Sequence, residues 1–284
     1  MCLRLFLMNI FVVLLTSNLS AQQRALYLPD DQAIFYKYIE YIQPWKSSSD
    51  EMILEKTATF FLDVPYVAHT LEVTDSEILI VNFRELDCFT FVENVLALYA
   101  TAKSDLPTID MFAENLQKLR YRGGEIDGYV SRLHYTSDWM YENELNGVLR
   151  NISADLGGIR DEKIINFMST HRDSYKHLKS DDDMLEMIVV AENNINSRGG
   201  FNYLPKANIA IAAPMIPHMA VVGFTSSIDG LDTTHVGFAF HKEDGLYFIH
   251  ASSVENKVVI DNSTLSDYCS SRKSCTGVII AEVL

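Results

Sequence analysis

Basic charge is scarce in this chain. Lys and Arg number 23 against 38 Asp and Glu, for a formal net charge of −15 and a sequence pI near 4.9. That balance excludes the cationic footprint by which proteins hold nucleic acid or anionic lipid. Proline and glycine are also few, 7 and 13 in 284 residues, so the chain is neither linker-like nor of low complexity. Past the first residues no apolar run is long enough to span a bilayer. No segment repeats, and no two histidines stand at helical ligand spacing for a metal. What is plentiful is core: 48% of residues are hydrophobic, which suits one domain with a sizeable interior.

The start reads as an address. Arg4, the apolar run 5–15, the small and polar residues 16–21 and then Gln22-Gln23 form a secretory signal peptide pattern, with cleavage expected after Ala21. Residues 22–284 would then be a single domain, and losing Arg4 takes its charge from −15 to −16. Cys2 leaves with the signal, and the exported chain keeps Cys88, Cys269 and Cys275. Cys269 and Cys275 flank a polar stretch that a disulfide can close in an oxidising compartment. Cys88 is then odd, and an odd cysteine in an exported protein is either deeply buried or a working thiol.

Helical spacing dominates the first part of the chain. Asp30 or Asp31 starts a helix carrying Ile34, Phe35, Tyr38, Ile39 and Ile42 and halted by Pro44, and Ser47-Ser48-Ser49-Asp50 caps a second. Residues 77–83 are β-rich and read as a strand. Helices are expected over 108–119 and 181–194, a glycine-punctuated loop over 121–129, and a short strand or loop at 164–168. Residues 131–140 are dense in polar and aromatic side chains and merge into a helix. The last third turns to β-rich segments at 207–212, 219–224, 235–240, 246–249, 257–260 and 278–283. Helices first and an antiparallel meander afterwards is an α+β order.

Cys88 lies at a junction. Asp87 can act as an N-cap with Thr90 three residues on, and Phe91, Val92, Val95, Leu96 and Tyr99 recur at helical spacing. Cys88 then takes the first helical position, where free N–H groups and the helix dipole favour a thiolate. The competing reading is a small buried apolar residue on a core helix. A thiol nucleophile needs a histidine, and that histidine needs an orienting partner. His235 and His250 lie on two strands of one hairpin. If residues 242–245 form its loop, His241 opposes Leu246 and opposed residue numbers sum to 487. In that register Ser252 faces His235, and His250 is its diagonal neighbour on the same face. A turn at Asp244-Gly245 also gives an odd sum and the same facing; a three- or five-residue loop would part the two histidines.

Asp87-Cys88 opening a helix, His235-Val236-Gly237 and Ile249-His250-Ala251-Ser252 resemble the NlpC-like branch of the papain-fold cysteine amidases. Closer still is the resemblance to the N-acetylmuramoyl-L-alanine amidase-like family, a former domain of unknown function. It is carried by Pro65-Tyr66-Val67-Ala68, Thr70-Leu71-Glu72, Asp87-Cys88, Thr90-Phe91-Val92-Glu93-Asn94, Arg132-Leu133-His134-Tyr135 and Ser137-Asp138-Trp139, over most of residues 60–255. His69 departs from it, standing where the family has glycine.

The resemblance implies a papain-like α+β core with a helical insertion, and cleavage of the amide between the lactyl group of N-acetylmuramic acid and L-alanine in peptidoglycan fragments. Cys88 would be nucleophile, His235 the base and His250 its orienting group, with Ser252 second for that role. Tyr66 would help hold the oxyanion, and Arg132, His134, Asp138 and Trp139 would line the substrate groove. No metal or other cofactor is implied, muropeptides are the expected partner, and a monomer in the bacterial periplasm is the expected setting. The same machinery could instead cut the γ-D-glutamyl–diamino acid bond of the stem peptide, transfer an acyl group, or survive as an inactive binding module.

Overall fold

The computed structural model describes residues 25–284, so the expected signal peptide at 1–21 lies outside the described residues. Its helical part is α1 (Pro29–Ile42), α2 (Asp50–Phe60), α3 (Cys88–Ala102), α4 (Ile109–Arg120) and α5 (Thr136–Leu145). Of these, α1 to α4 begin near the polar residue that the sequence offers as a start. Ser49 accepts from Met52 N–H at the head of α2, and Thr108 accepts from Met111 N–H at the head of α4. Later come α6 (Phe167–Thr170), α7 (Asp182–Asn196) capped by Asp181, α8 (Lys206–Ala212) and α9 (Leu265–Ser271).

The strands are β1 (Leu149–Asn151), β2 (Ile159–Asp161), β3 (Phe201–Pro205), β4 (Val221–Ser226), β5 (Thr233–Lys242), β6 (Gly245–Ser252), β7 (Lys257–Ile260) and β8 (Cys275–Val283). They form one antiparallel sheet in the order β2-β3-β8-β4-β5-β6-β7, with β1 also on β8. Register parity sorts the side chains. Val221, Val236, Phe238, Ile249, Ala251 and Ile279 face the main core with α1 to α5, while Val222, Phe224, Ala239, Phe248, Val278 and Ile280 face α8 and α9. Four consecutive strands thus have apolar residues on both faces, which is why the last third reads as apolar runs rather than clean alternation. Among the described residues no helix is long and apolar enough to cross a membrane.

The segments 77–83 and 207–212 depart from their expected form. Among the described residues, 77–83 are extended but do not join the sheet, and their only ladder contact is the bridge Leu26↔Ile80. Side chains take the other backbone groups: Arg120 donates to Ile80 O, Tyr121 to Ile78 O, and Phe83 N–H donates to Asp31. Residues 207–212 lie in α8, where Ile209 and Ala212 are buried three apart and Ile211 is exposed, a helical rather than alternating pattern.

Candidate active site

The start of α3 is built as its residues dictate. The Asp87 carboxylate accepts from Phe89 N–H at 3.1 Å and Thr90 N–H at 2.8 Å, while Asp87 N–H donates to Thr90 Oγ1 at 2.9 Å. Cys88 is the first helical residue, half-buried, and the only free cysteine among the described residues. Behind it Phe91 meets Phe238 edge-on at 5.9 Å, Glu93 holds Arg120 at 2.7 Å, and Asn94 donates to Asn82 O. These contacts press the helix onto the sheet and fix where the thiol stands.

The hairpin supplies the histidines. β5 and β6 pair as His241↔Leu246 and Phe238↔Ile249, the expected sum of 487, with Lys242↔Gly245 closing a two-residue turn. The ladder stops at Phe238↔Ile249. Beyond it β5 stays with β4 (Phe224↔His235) and β6 stays with β7 (His250↔Val259); Gly237 still lies close against His250, and the two strands part from there toward His235. His235 Nε2 and His250 Nδ1 are 2.6 Å apart, with the rings perpendicular. Val236, in the parted stretch, brings its backbone N–H to the Cys88 sulfur together with the N–H groups of Cys88 and Phe89.

Tyr66 reaches the same place from the other side. Leu86 N–H donates to Pro65 O and Val67 N–H to Leu86 O, which pins this segment two residues before the cysteine. Burial, followed by the charges of Cys88 and Asp87, raises the Tyr66 hydroxyl pKa. Ser252 is 4% exposed and its hydroxyl accepts from Glu255 N–H, closing the turn after β6 rather than bonding His235.

Electrostatics at the thiol oppose the helix-start expectation. Burial and the Asp87 carboxylate push Cys88 up to about 12, and the three N–H groups that lower it do not compensate. Burial also drives His235 and His250 down to about 3; His250 and Arg272 add to the effect on His235, and Arg272 adds to that on His250. The thiol and both imidazoles are therefore neutral at rest, and no thiolate is preformed.

The residues expected to line a groove are placed differently. Trp139 is 0% exposed with its ring edge-on to Phe89 at 5.3 Å, so it supports the start of α3 from inside the core and offers no face to a sugar. Asp138 is buried as counter-ion to Arg122 at 2.6 Å and Arg198 at 2.7 Å. Arg132 is engaged by Glu72 and Glu77 and lies over the Tyr129 ring. His134 bonds Tyr129 O and is held neutral, driven down to about 3 by burial and by Arg132. Asp138, Arg132 and His134 tie separate chain segments together, while Trp139 packs in the core.

Sequence reasoning passed over Tyr268, Arg272 and Asp261. Tyr268 of α9 packs 4.4 Å from Phe248, 5.8 Å from His250 and 6.2 Å from His235, and Arg272 sits over its outer face at 3.2 Å. The disulfide Cys269–Cys275 ties α9 to β8 one residue from Tyr268. A cavity of about 270 Å³ lies elsewhere, between α5, α7, β2 and β3. Arg160, Lys163, Arg198, Asn151 and Asn196 on its walls are bonded to protein groups already.

A crystal structure described as an N-acetylmuramoyl-L-alanine amidase from Bacteroides uniformis is 37% identical, with a TM-score of 0.78 over 82% of this chain and 98% of that one. A structure described as a xylanase candidate from Bacteroides fragilis is 38% identical, with a TM-score of 0.75 over 80% and 99%. A Legionella pneumophila protein at 23% identity shares the fold, with a TM-score of 0.67 over 89% and 96%. No curated protein matches. The family described as AmiA-like, N-acetylmuramoyl-L-alanine amidase-like, matches residues 56–278, and the chain belongs to it.

Proposed function

We propose that this protein is a papain-like cysteine amidase that hydrolyses the lactyl–L-alanine amide of peptidoglycan fragments. The observation that carries the reading is the half-buried thiol at the head of α3, next to the point where β5 and β6 part and His235 meets His250 at 2.6 Å. Family membership supports the choice of bond.

In this reading His235 takes the Cys88 proton as Sγ attacks the lactyl carbonyl carbon. A neutral starting pair makes transfer and attack go together. The Cys88 N–H and the Tyr66 hydroxyl face the developing oxyanion. The C–N bond then breaks, and His235 returns its proton to the alanine amine, which leaves with the stem peptide. Water, deprotonated by His235, attacks the thioester; the muramic acid carboxylate is released and the thiol restored. The Cys269–Cys275 disulfide suits an oxidising compartment and supports export to the periplasm.

The test is mass spectrometry of defined muropeptides digested by the intact protein. Free L-alanyl stem peptide is expected, and Cys88→Ala should lower its release by on the order of 10⁴-fold or more. Equal release by Cys88→Ala, or full activity in His235→Ala, overturns the mechanism. A fragment cut after D-glutamate instead overturns the choice of bond.

A further inference from the structure

The pair His235–His250 ends on a carboxylate. His250 is 1% exposed, its Nδ1 is taken by His235, and its Nε2 has no hydrogen-bond partner in good alignment among the described residues. The polar atom beside that nitrogen is Asp261 Oδ2, at 3.3 Å. The other oxygen of Asp261 accepts from Ser263 N–H at 2.7 Å, and Asp261 N–H donates to Phe248 O at 2.9 Å, so the carboxylate is fixed in the turn between β7 and α9. Arg272 and Tyr268 face the histidines from α9, and neither is bonded to His250.

We propose that Asp261 is a positioning residue that sets the tautomers of both histidines, and through them the free nitrogen that receives the thiol proton. The proposal rests on the cysteine amidase reading. A lone pair on His250 Nε2 would face the carboxylate and be repelled, so this nitrogen carries the hydrogen. His250 Nδ1 is then bare and accepts from His235 Nε2–H across the 2.6 Å contact. That leaves the His235 Nδ1 lone pair open for the thiol proton. When His235 becomes imidazolium during attack, the charge is spread toward a fixed anion two rings away.

The decisive variant is Asp261→Asn. Its Oδ1 can keep the Ser263 bond, while its amide N–H₂ faces His250 Nε2 in place of Oδ2. His250 must then carry its hydrogen on Nδ1 and donate to His235 Nε2, which moves the His235 hydrogen onto Nδ1, where it blocks the base. Nitrogen-15 spectra of the imidazoles in the full chain read this without any assay. We expect Nε2–H on both rings in the native protein and Nδ1–H on both in Asp261→Asn. Asp261→Ala, with neither acceptor nor donor, should give mixed tautomers. In turnover, Asp261→Asn should lose kcat at least about 10²-fold with KM unchanged. Nδ1–H on His235 in the native protein, or unchanged tautomers in Asp261→Asn, overturns the proposal. The spectra stand whether or not Cys88→Ala abolishes activity, so the two readings fail separately.

Discussion

At position 69 a histidine holds a backbone shape that glycine holds more cheaply. His69 has φ of +62° and an exposed side chain, and its carbonyl accepts from Glu72 N–H to close the turn after Tyr66. A non-glycine residue in the left-handed region costs about 1–2 kcal/mol. His69→Gly removes that cost and returns part of it, about 0.5–1 kcal/mol, to the greater freedom of the unfolded chain. The variant should therefore melt higher, by roughly 1–3 °C for a chain of this size; His69→Ala should show no gain. A lower Tm in His69→Gly would mean that the imidazole makes a stabilising contact. Cys88, His235, His250 and His69 were legible one by one, because a capped helix start, hairpin parity and a broken pattern are local signals. Trp139 and Asp261 were not. Whether an indole lies on a rim or behind Phe89, and which carboxylate reaches His250, depends on how α5 and the turn after β7 pack, and no local spacing encodes that.

The head of α3 sets stability against reactivity. Asp87 satisfies two N–H groups and closes a capping box, yet its charge raises the thiol pKa. Asparagine caps as well as aspartate and carries no charge, so Asp87→Asn should leave stability nearly unchanged and bring the Cys88 thiol below its native value of about 12. Asp87→Ala should lower it too, while costing about 1 kcal/mol of stability through the lost cap. Thiol alkylation rate against pH, with denaturation of the same variants, separates the two effects; an unmoved thiol in Asp87→Asn overturns the charge argument. At this scale long periodic elements were legible, and β4 to β8 lie close to their expected places. Residues 77–83 have a strand's composition but give their backbone groups to Arg120, Tyr121 and Asp31. Strands β1 and β2 have three residues each, too few to show a period. The stretches that carry the family resemblance act mostly as joints: Glu72 grips Arg132, Pro65 bonds Leu86, and Glu93 holds Arg120. Among them Tyr66, Asp87 and Cys88 reach the thiol site.

Three histidines, His250 buried and His134 and His235 half-buried, are held uncharged, and this links stability to pH. His235 and His250 lie at the parted hairpin and His134 at the loop junction, each driven to about 3 in the folded state, against about 6.5 in the unfolded chain. Between those values the unfolded chain binds protons that the folded chain does not. Stability from this source is therefore full above about pH 6.5 and is lost as pH falls toward 3, each histidine adding up to about 1.4 kcal/mol per pH unit to the slope. Denaturation midpoints should fall from pH 7 to pH 4. His134→Gln, whose amide can still donate to Tyr129 O, should flatten that fall without touching the thiol site. A fall just as steep in His134→Gln would show that His134 is protonated in the folded protein. The same depression sets the acid side of turnover. In the mechanism proposed above, His235 stays unprotonated and able to act as base well below pH 6.5, so activity measured over times short of unfolding should persist to pH 5. Acid should therefore abolish the fold before it abolishes the base.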